Sequence, residues 1–183
     1  MATVTESSII AGVHHVRPDV HGDARGLFVE TYRREWIPGA REMIQFNRAD
    51  RAAGAIVGLH YHPQQADYWY VPFGQARVGL HDLRAGSATE RATASFDLGG
   101  AGHEGVFIPP GVAHGFGSLT DMTITYLVDG YYNPSDELGV AWDDPEIAAD
   151  WGITDPVLSE RDRNNPKRSE IPERLRPVSP LRT

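Results

Sequence analysis

Gly54-Ala-Ile-Val-Gly-Leu-His60-Tyr-His62-Pro-Gln-Gln-Ala-Asp67-Tyr-Trp-Tyr-Val-Pro-Phe-Gly74 is the stretch whose reading decides the fold. Its apolar, β-branched first half predicts a strand over 56–61, and its aromatic second half predicts another over 66–72. Pro63, with glycines at both ends, marks the breaks. Side chains alternate faces along a strand, so His60 and His62 share one face. If that face lines the inside of a barrel, both imidazoles reach a single cavity. A later segment, Ile108-Pro-Pro-Gly-Val-Ala-His114, offers a third histidine after a tight turn.

Working outward, short strands separated by Gly, Pro, Asp or Ser recur at close spacing. Expected strands are 13–20, 27–32, 43–47, 76–83, 92–97, 105–108, 113–119 and 122–131, with residues 1–12 as a short arm or edge strand. Residues 21–26 carry turn chemistry, 33–42 at most a short helical turn, and 48–54 a polar loop. The only other helical turns are expected at 146–151. Strands this short and regular predict an all-β jelly-roll barrel of antiparallel strands with short C-terminal helical turns, not βαβ units. Residues 1–183 read as one domain, with the Pro- and Arg-rich tail from about 163 to 183 wrapping the barrel.

Composition narrows the function. The formal charge of −8 argues against a nucleic-acid or anionic-membrane partner, which a basic patch would be needed to hold. Sixteen of the 17 basic residues are Arg, and Lys167 is the only lysine, a usage that suits bidentate binding of a phosphate-bearing ligand. There is no cysteine, which removes disulfides, thiolate catalysis and Cys-based zinc sites. The start MATVTESSIIAG lacks the basic and apolar regions of a signal peptide, and no run approaches the roughly 20 apolar residues of a membrane span. A cytoplasmic protein is the expectation.

The opening stretch, Gly54, five residues, His60-x-His62, four residues, Asp67, six residues, Gly74, resembles the first cupin motif, with Asp for the usual Glu. Pro109-Pro110-Gly111-Val112-Ala113-His114 resembles the second, with Ser118 at the customary Asn. A more specific resemblance runs along nearly the whole chain. Gly22-Asp23-x-Arg25-Gly26-Leu27-Phe28-x-Glu30, Gly58-Leu59-His60-Tyr61 and Asp82-Leu83-Arg84-x-Gly86-Ser87 are followed by Ile108-Pro109-x-Gly111-x-Ala113-His114-Gly115-Phe116. Tyr131-Tyr132-x-Pro134, Trp142-x-Asp144-Pro145 and Leu158-Ser159-x-x-Asp162 complete the series. It resembles the dTDP-4-dehydrorhamnose 3,5-epimerase family, a branch of the cupins.

That resemblance implies proton exchange on the carbons flanking the ketone of a nucleotide-diphospho-4-keto-6-deoxyhexose, at C3, C5 or both, in deoxysugar biosynthesis. No cofactor is implied. The family pattern implies His60 as base, Asp162 as the carboxylate orienting it and Tyr132 as the acid on the other face. It places Arg25, Glu30, Gln45, Asn47, His114 and Tyr126 at substrate-binding positions, with Arg25 gripping the diphosphate. It also implies a homodimer whose protomers exchange an N-terminal strand, for which residues 9–20 offer an edge.

Three positions depart from the family. Val57 stands where Arg is usual, His62 where Gln is usual, and Asp67 aligns with a cavity Lys. These changes move the cavity from cationic toward His/His/Asp, and keep two alternatives open. One is a metal-dependent cupin isomerase or oxygenase using His60, His62, Asp67 and His114, a donor set suited to Fe, Zn, Ni or Mn. The other is a sugar-nucleotide binder without catalysis. His14, His15, His21, His81 and His103 have no motif support and read as surface or structural residues. Tyr68, Trp69 and Tyr70 read as core on one face, and as dimer surface or ligand stacking on the other.

Overall fold

In a computed structural model, which describes residues 2–179, thirteen short strands carry the chain. They are β1 (Thr3–Glu6), β2 (His14–Arg17), β3 (Val20–Asp23), β4 (Gly26–Val29), β5 (Gln45–Arg51), β6 (Ile56–Tyr61) and β7 (Asp67–Phe73). Then come β8 (Gln75–Asp82), β9 (Thr93–Gly99), β10 (Gly105–Ile108), β11 (Val112–Ser118), β12 (Met122–Val128) and β13 (Leu138–Gly139). A six-stranded sheet in the order β1-β2-β10-β7-β12-β5 faces a five-stranded sheet in the order β13-β6-β11-β8-β9, while β3 and β4 form a separate hairpin. Every strand pair is antiparallel, and neighbours far apart in sequence, such as β2 with β10, give the jelly-roll crossing. The expected antiparallel jelly roll is the fold observed. No helix among the described residues is long and apolar enough to cross a membrane.

Three buried clusters hold the layers together. Between the sheets, Trp69, Val71, Val78, Leu80, Phe116 and Ile124 form the main core. Ile56, Leu59 and Tyr61, on the far face of β6, pack under Val140, Ile147, Trp151 and Ile171 of the C-terminal segment. Tyr68 and Tyr70, on the far face of β7, pack under Trp36 and Ile37. The strand β7 is therefore buried on both faces within one chain, so Tyr68 and Tyr70 are core residues and not dimer surface. At about 25 cal/mol per Å² of apolar area, such two-sided burial is a main stabilising term.

Several boundaries differ from the sequence reading. Residues 13–20 are two strands, β2 and the start of the β3–β4 hairpin, and the strand expected over 27–32 ends at Val29. The strand β5 runs on to Arg51, through the residues expected to be a polar loop, because its alternate positions face a polar cavity instead of the apolar core. The strand β12 stops at Val128, so Tyr131 and Tyr132 lie beyond it. Residues 146–151 are not helical. The Asp144 carboxylate takes the Glu146 N–H and Ala148 turns to φ +49, which ends the coil after one turn. A four-residue helix, α1 (Glu160–Arg163), appears instead, capped by Ser159, whose Oγ accepts from the Asp162 N–H. The tail continues in 3-10 turns at Arg168–Glu170 and Glu173–Leu175, and reaches Ala85 through a backbone hydrogen bond to the Pro177 carbonyl. Of residues 9–20, His14–Arg17 do not supply an edge, since β2 lies between β1 and β10, whereas Val20 belongs to the two-stranded β3–β4 hairpin.

Candidate active site

The site is built where β6 meets β11. Gly58 sits at φ +119, and a Cβ there would stand 2.7 Å from the Gly115 Cα and 2.8 Å from the His114 carbonyl oxygen. Only paired glycines allow this approach, and the register of β6 against β11 shifts at the same place. The shift interrupts strict alternation. Val57 and His60 both line the cavity, although they are three residues apart, and His62 follows two residues later.

The cavity has a volume of about 320 Å³, at the low end for a small-molecule site. His60 Nε2 lies 2.7 Å from Asp162 Oδ1, which α1 delivers from the C-terminal segment. Asp162 is buried. Burial alone would raise its pKa, but the His60 hydrogen bond and charge, with the Ser159 and Gly58 contacts, hold it below the usual carboxylate value. The ionised carboxylate accepts, so His60 carries its proton on Nε2 and leaves Nδ1 as the nitrogen free to take another. Tyr132 lines the same cavity from the exposed segment after β12.

A second group of residues lies deeper. His62 Nδ1 donates to the Asp136 carbonyl at 3.0 Å, and His114 Nδ1 donates to the Val112 carbonyl at 2.9 Å. The two rings are 5.3 Å apart, and Trp69 stands edge-on to His114. Asp67 accepts from Gln65 Nε2 at 2.9 Å and Trp69 Nε1 at 3.0 Å, and its Oδ2 lies 3.9 Å from His114 Nε2. Burial pushes the His114 imidazole down to about 4, against the opposing pull of Asp67. Donor atoms of His62, Asp67 and His114 lie within 4.8 Å of one another, and His60 is not in that group. The four-residue metal set read from the sequence is thereby divided: three residues gather, and His60 belongs to Asp162.

On the opposite sheet, Gln45, Asn47 and Tyr126 line the cavity as expected from the family pattern, with Gln45 Nε2 donating to Asn47 Oδ1 at 2.9 Å. Burial, aided by Asp67, raises the Tyr126 phenol. Arg25 and Glu30 are elsewhere. Arg25 sits at the exposed tip of the β3–β4 hairpin, paired with Asp23, and Glu30 pairs with Arg33. Neither lines the cavity of its own chain. Two charged lining residues were missed by the sequence reading. Arg51 is the only Arg or Lys among the residues that line the cavity, and the period-2 series Gln45, Asn47, Ala49, Arg51 was the signal that places it there. Glu137 also lines it, held below the usual carboxylate range by Arg161 despite partial burial; nothing in its local sequence marks it.

Comparison with known proteins agrees with this geometry. A family model described as dTDP-4-dehydrorhamnose 3,5-epimerase matches residues 7–170. A dTDP-4-dehydrorhamnose 3,5-epimerase of Neisseria gonorrhoeae is 34% identical over 154 residues, covering 80% of this chain and 47% of that protein. A dTDP-4-dehydrorhamnose 3-epimerase of Streptomyces niveus is 33% identical over 163 residues, covering 85% and 79%. Among solved structures, the dTDP-6-deoxy-D-glucose-3,5-epimerase of Legionella pneumophila, in complex with dTDP-4-keto-L-rhamnose, superposes with a TM-score of 0.92. Its identity is 28%, with 98% of this chain and 100% of that chain covered. With the model matching most of its length, and the jelly roll and its histidine cavity in place, the chain belongs to the dTDP-4-dehydrorhamnose 3,5-epimerase family of isomerases.

Proposed function

We propose that the protein epimerises a dTDP-4-keto-6-deoxyhexose at C3, C5 or both, by proton exchange between His60 and Tyr132. The observation that carries this reading is the 2.7 Å His60–Asp162 pair opening into the cavity that Tyr132 also lines. The ketone acidifies the C–H bonds on its flanking carbons. His60 Nδ1 removes one proton, the C–H electron pair becomes the enolate double bond, and the carbonyl pair moves onto oxygen. Asp162 stabilises the imidazolium that forms and fixes the ring's orientation. Tyr132 returns a proton to the opposite face, a step worth roughly 10² to 10⁴ in rate. A metal cupin with His60 as ligand is disfavoured, because His60 lies outside the group of donor atoms that His62, Asp67 and His114 bring together.

The test is deuterium wash-in from heavy water into a dTDP-4-keto-6-deoxyhexose. Wild-type protein incorporates deuterium at one or both flanking carbons, and His60→Asn incorporates none. Tyr132→Phe still exchanges through His60 but inverts its centre roughly 10² to 10⁴ times more slowly. Absence of exchange in the wild type ends the epimerase reading, and leaves tight binding of the sugar nucleotide as the surviving function.

The reading includes a homodimer in the cytoplasm. Arg25 is exposed at the tip of a hairpin whose Val20, Leu27 and Phe28 also face solvent, an apolar face that a second copy would cover. In that arrangement Arg25 of one copy and Arg51 of the other take the diphosphate. Inactive His60→Asn and Arg25→Ala chains, mixed and re-equilibrated, then recover part of the turnover. No recovery would place Arg25 outside the site. The cysteine-free chain suits a reducing compartment.

A further inference from the structure

The partner of His60 and the acid both come from pieces of chain with little structure of their own. Asp162 rides on α1, a single turn, and one turn fixes more backbone freedom than its few hydrogen bonds offset. Tyr132 lies on the segment between β12 and β13, where Tyr131 and Tyr132 are both largely exposed. Base and acid must nevertheless face the substrate at a fixed separation, since a misplacement of about 1 Å can cost about a hundredfold in rate. One side chain joins the two pieces. Arg161, the residue before Asp162, pairs through Nη1 with the carboxylate of Glu137, a few residues after Tyr132. Its Nη2 donates to the Glu137 carbonyl at 3.2 Å and lies 3.5 Å from the Leu138 carbonyl. Burial alone would raise the Glu137 pKa, but the Arg161 hydrogen bond and charge, followed by His60 and His62, hold it below the usual carboxylate value. The guanidinium therefore meets an ionised partner.

We propose that Arg161 and Glu137 are positioning residues, a clasp that fixes the helix bearing Asp162 against the segment bearing Tyr132 and so sets the gap between base and acid. Neither residue moves a proton. Each piece has a separate anchor on its far side. Asp136 staples the Tyr132 segment to the turn after β6, its carboxylate accepting from the Gln64 and Gln65 N–H groups at 3.1 Å each. The helix is held by its Ser159 cap and by the His60–Asp162 pair. Arg161 closes the circuit between these anchors. Immediately after the clasp, Leu138 and Gly139 pair with Tyr61 and His60, and Asn165, just past the helix, packs so closely on Gly139 that no Cβ would fit. A planar guanidinium suits the task, because its fork grips a carboxylate and a carbonyl in one geometry, which a lysine ammonium does not. Proton removal depends on His60 and Asp162, which keep their own contacts when the clasp is lost. Proton return depends on the reach of Tyr132, which does not. Loss of the clasp therefore separates two steps that the intact protein couples.

The catalytic consequence rests on the epimerase reading, whereas the clasp itself does not, and two measurements separate them. In Arg161→Gln, deuterium wash-in at the flanking carbons stays near the wild-type rate while inversion falls by about a hundredfold. Glu137→Gln, which keeps the side-chain shape, gives the same pattern, and the double variant is no worse than either single one, because both remove one interaction. Arg161→Lys, which keeps the charge but not the fork, falls between. A merely less stable fold would lower exchange and inversion together, so their ratio isolates positioning. Equal loss of both steps, or additive losses in the double variant, would overturn the proposal. Limited chymotrypsin digestion after Tyr131 and Tyr132 reads the clasp without turnover, with melting curves confirming that each variant is folded. Cleavage several times faster in Arg161→Gln than in the wild type is expected, since local opening of the segment becomes easier. Equal cleavage overturns the clasp. If the wild type itself shows no exchange, the epimerase reading fails and the digestion alone decides whether the clasp exists.

Discussion

His60 and His62 stand two residues apart, line the same cavity, and are held by opposite nitrogens. In the first corner, Nε2 meets the Asp162 carboxylate, a charged partner that fixes the tautomer and leaves Nδ1 to take a proton. In the second, Nδ1 meets the Asp136 carbonyl, a neutral partner that fixes the tautomer and leaves Nε2 as a lone pair beside His114 and Asp67. The type of acceptor behind each ring sets what its front can do. One corner is built to move a proton, the other to hold something in place.

The largest expected effect breaks the first corner. Asp162→Asn keeps the shape of the side chain but removes the charge that the imidazolium needs, and it allows the wrong tautomer at His60. Turnover should fall by about 10³ to 10⁴, as in other carboxylate–histidine pairs, with the fold retained. Steady-state kinetics and thermal melts measure this together. A loss under tenfold would mean that His60 does not depend on Asp162, and the contrast between the corners would collapse.

A smaller effect tests the backbone that leads into them. Gly58→Ala brings a Cβ to 2.7 Å from the Gly115 Cα at a φ of +119. The expected cost is about 2–3 kcal/mol, read from denaturant unfolding. His60, two residues from the substitution, would move with its strand, while His62 lies past the end of β6 and keeps its carbonyl partner. A neutral substitution would show that the close approach of β6 and β11 is not needed.

The smallest effect is on acid stability. His81 is fully buried behind β8, bonded through Nδ1 to Thr93, and burial with the nearby Arg168 charge pushes it down to about 4. The unfolded chain takes up this proton near pH 6.5. Stability from a neutral His81 is therefore complete above pH 6.5 and is lost as the pH falls from 6.5 to 4. The amount is about 2–3 kcal/mol at most. In His81→Gln the acid limb of the stability curve flattens, which melting temperature against pH would show. An unchanged slope would shift that role to His114 or His15, the other histidines whose pKa burial lowers.

Much of this protein is legible in its sequence. The two motifs at 54–74 and 109–114, with turn residues between short β-branched runs, determine an antiparallel jelly roll, because periodicity and turn chemistry are local. The edges of β6 and β10 follow directly from them. Ordered matches along the chain identify the family, and single out His60, Tyr132 and Asp162. Where local reading fails, the reason is that the relevant face was not apolar. The strand β5 alternates polar residues into a cavity, so its second half, from Arg48, passed for a loop and Arg51 with it. The helix α1 is too short to show a period.

The tertiary structure decided what the histidines face. No sequence spacing shows that Asp162 would arrive at His60 from 102 residues away, or that carbonyls of Asp136 and Val112 would set the tautomers of His62 and His114. The reason is physical. A histidine's role depends on which nitrogen is occupied, and by what, and the partners of His60 and His62 are long-range neighbours, whereas the Val112 carbonyl stands only two residues from His114. It also decided that Arg25 lies outside its own chain's cavity, on a hairpin held by its own Asp23. The sequence by itself named the candidate residues and paired His60 with Asp162 through the family resemblance, and packing set which nitrogen of each histidine faces a partner.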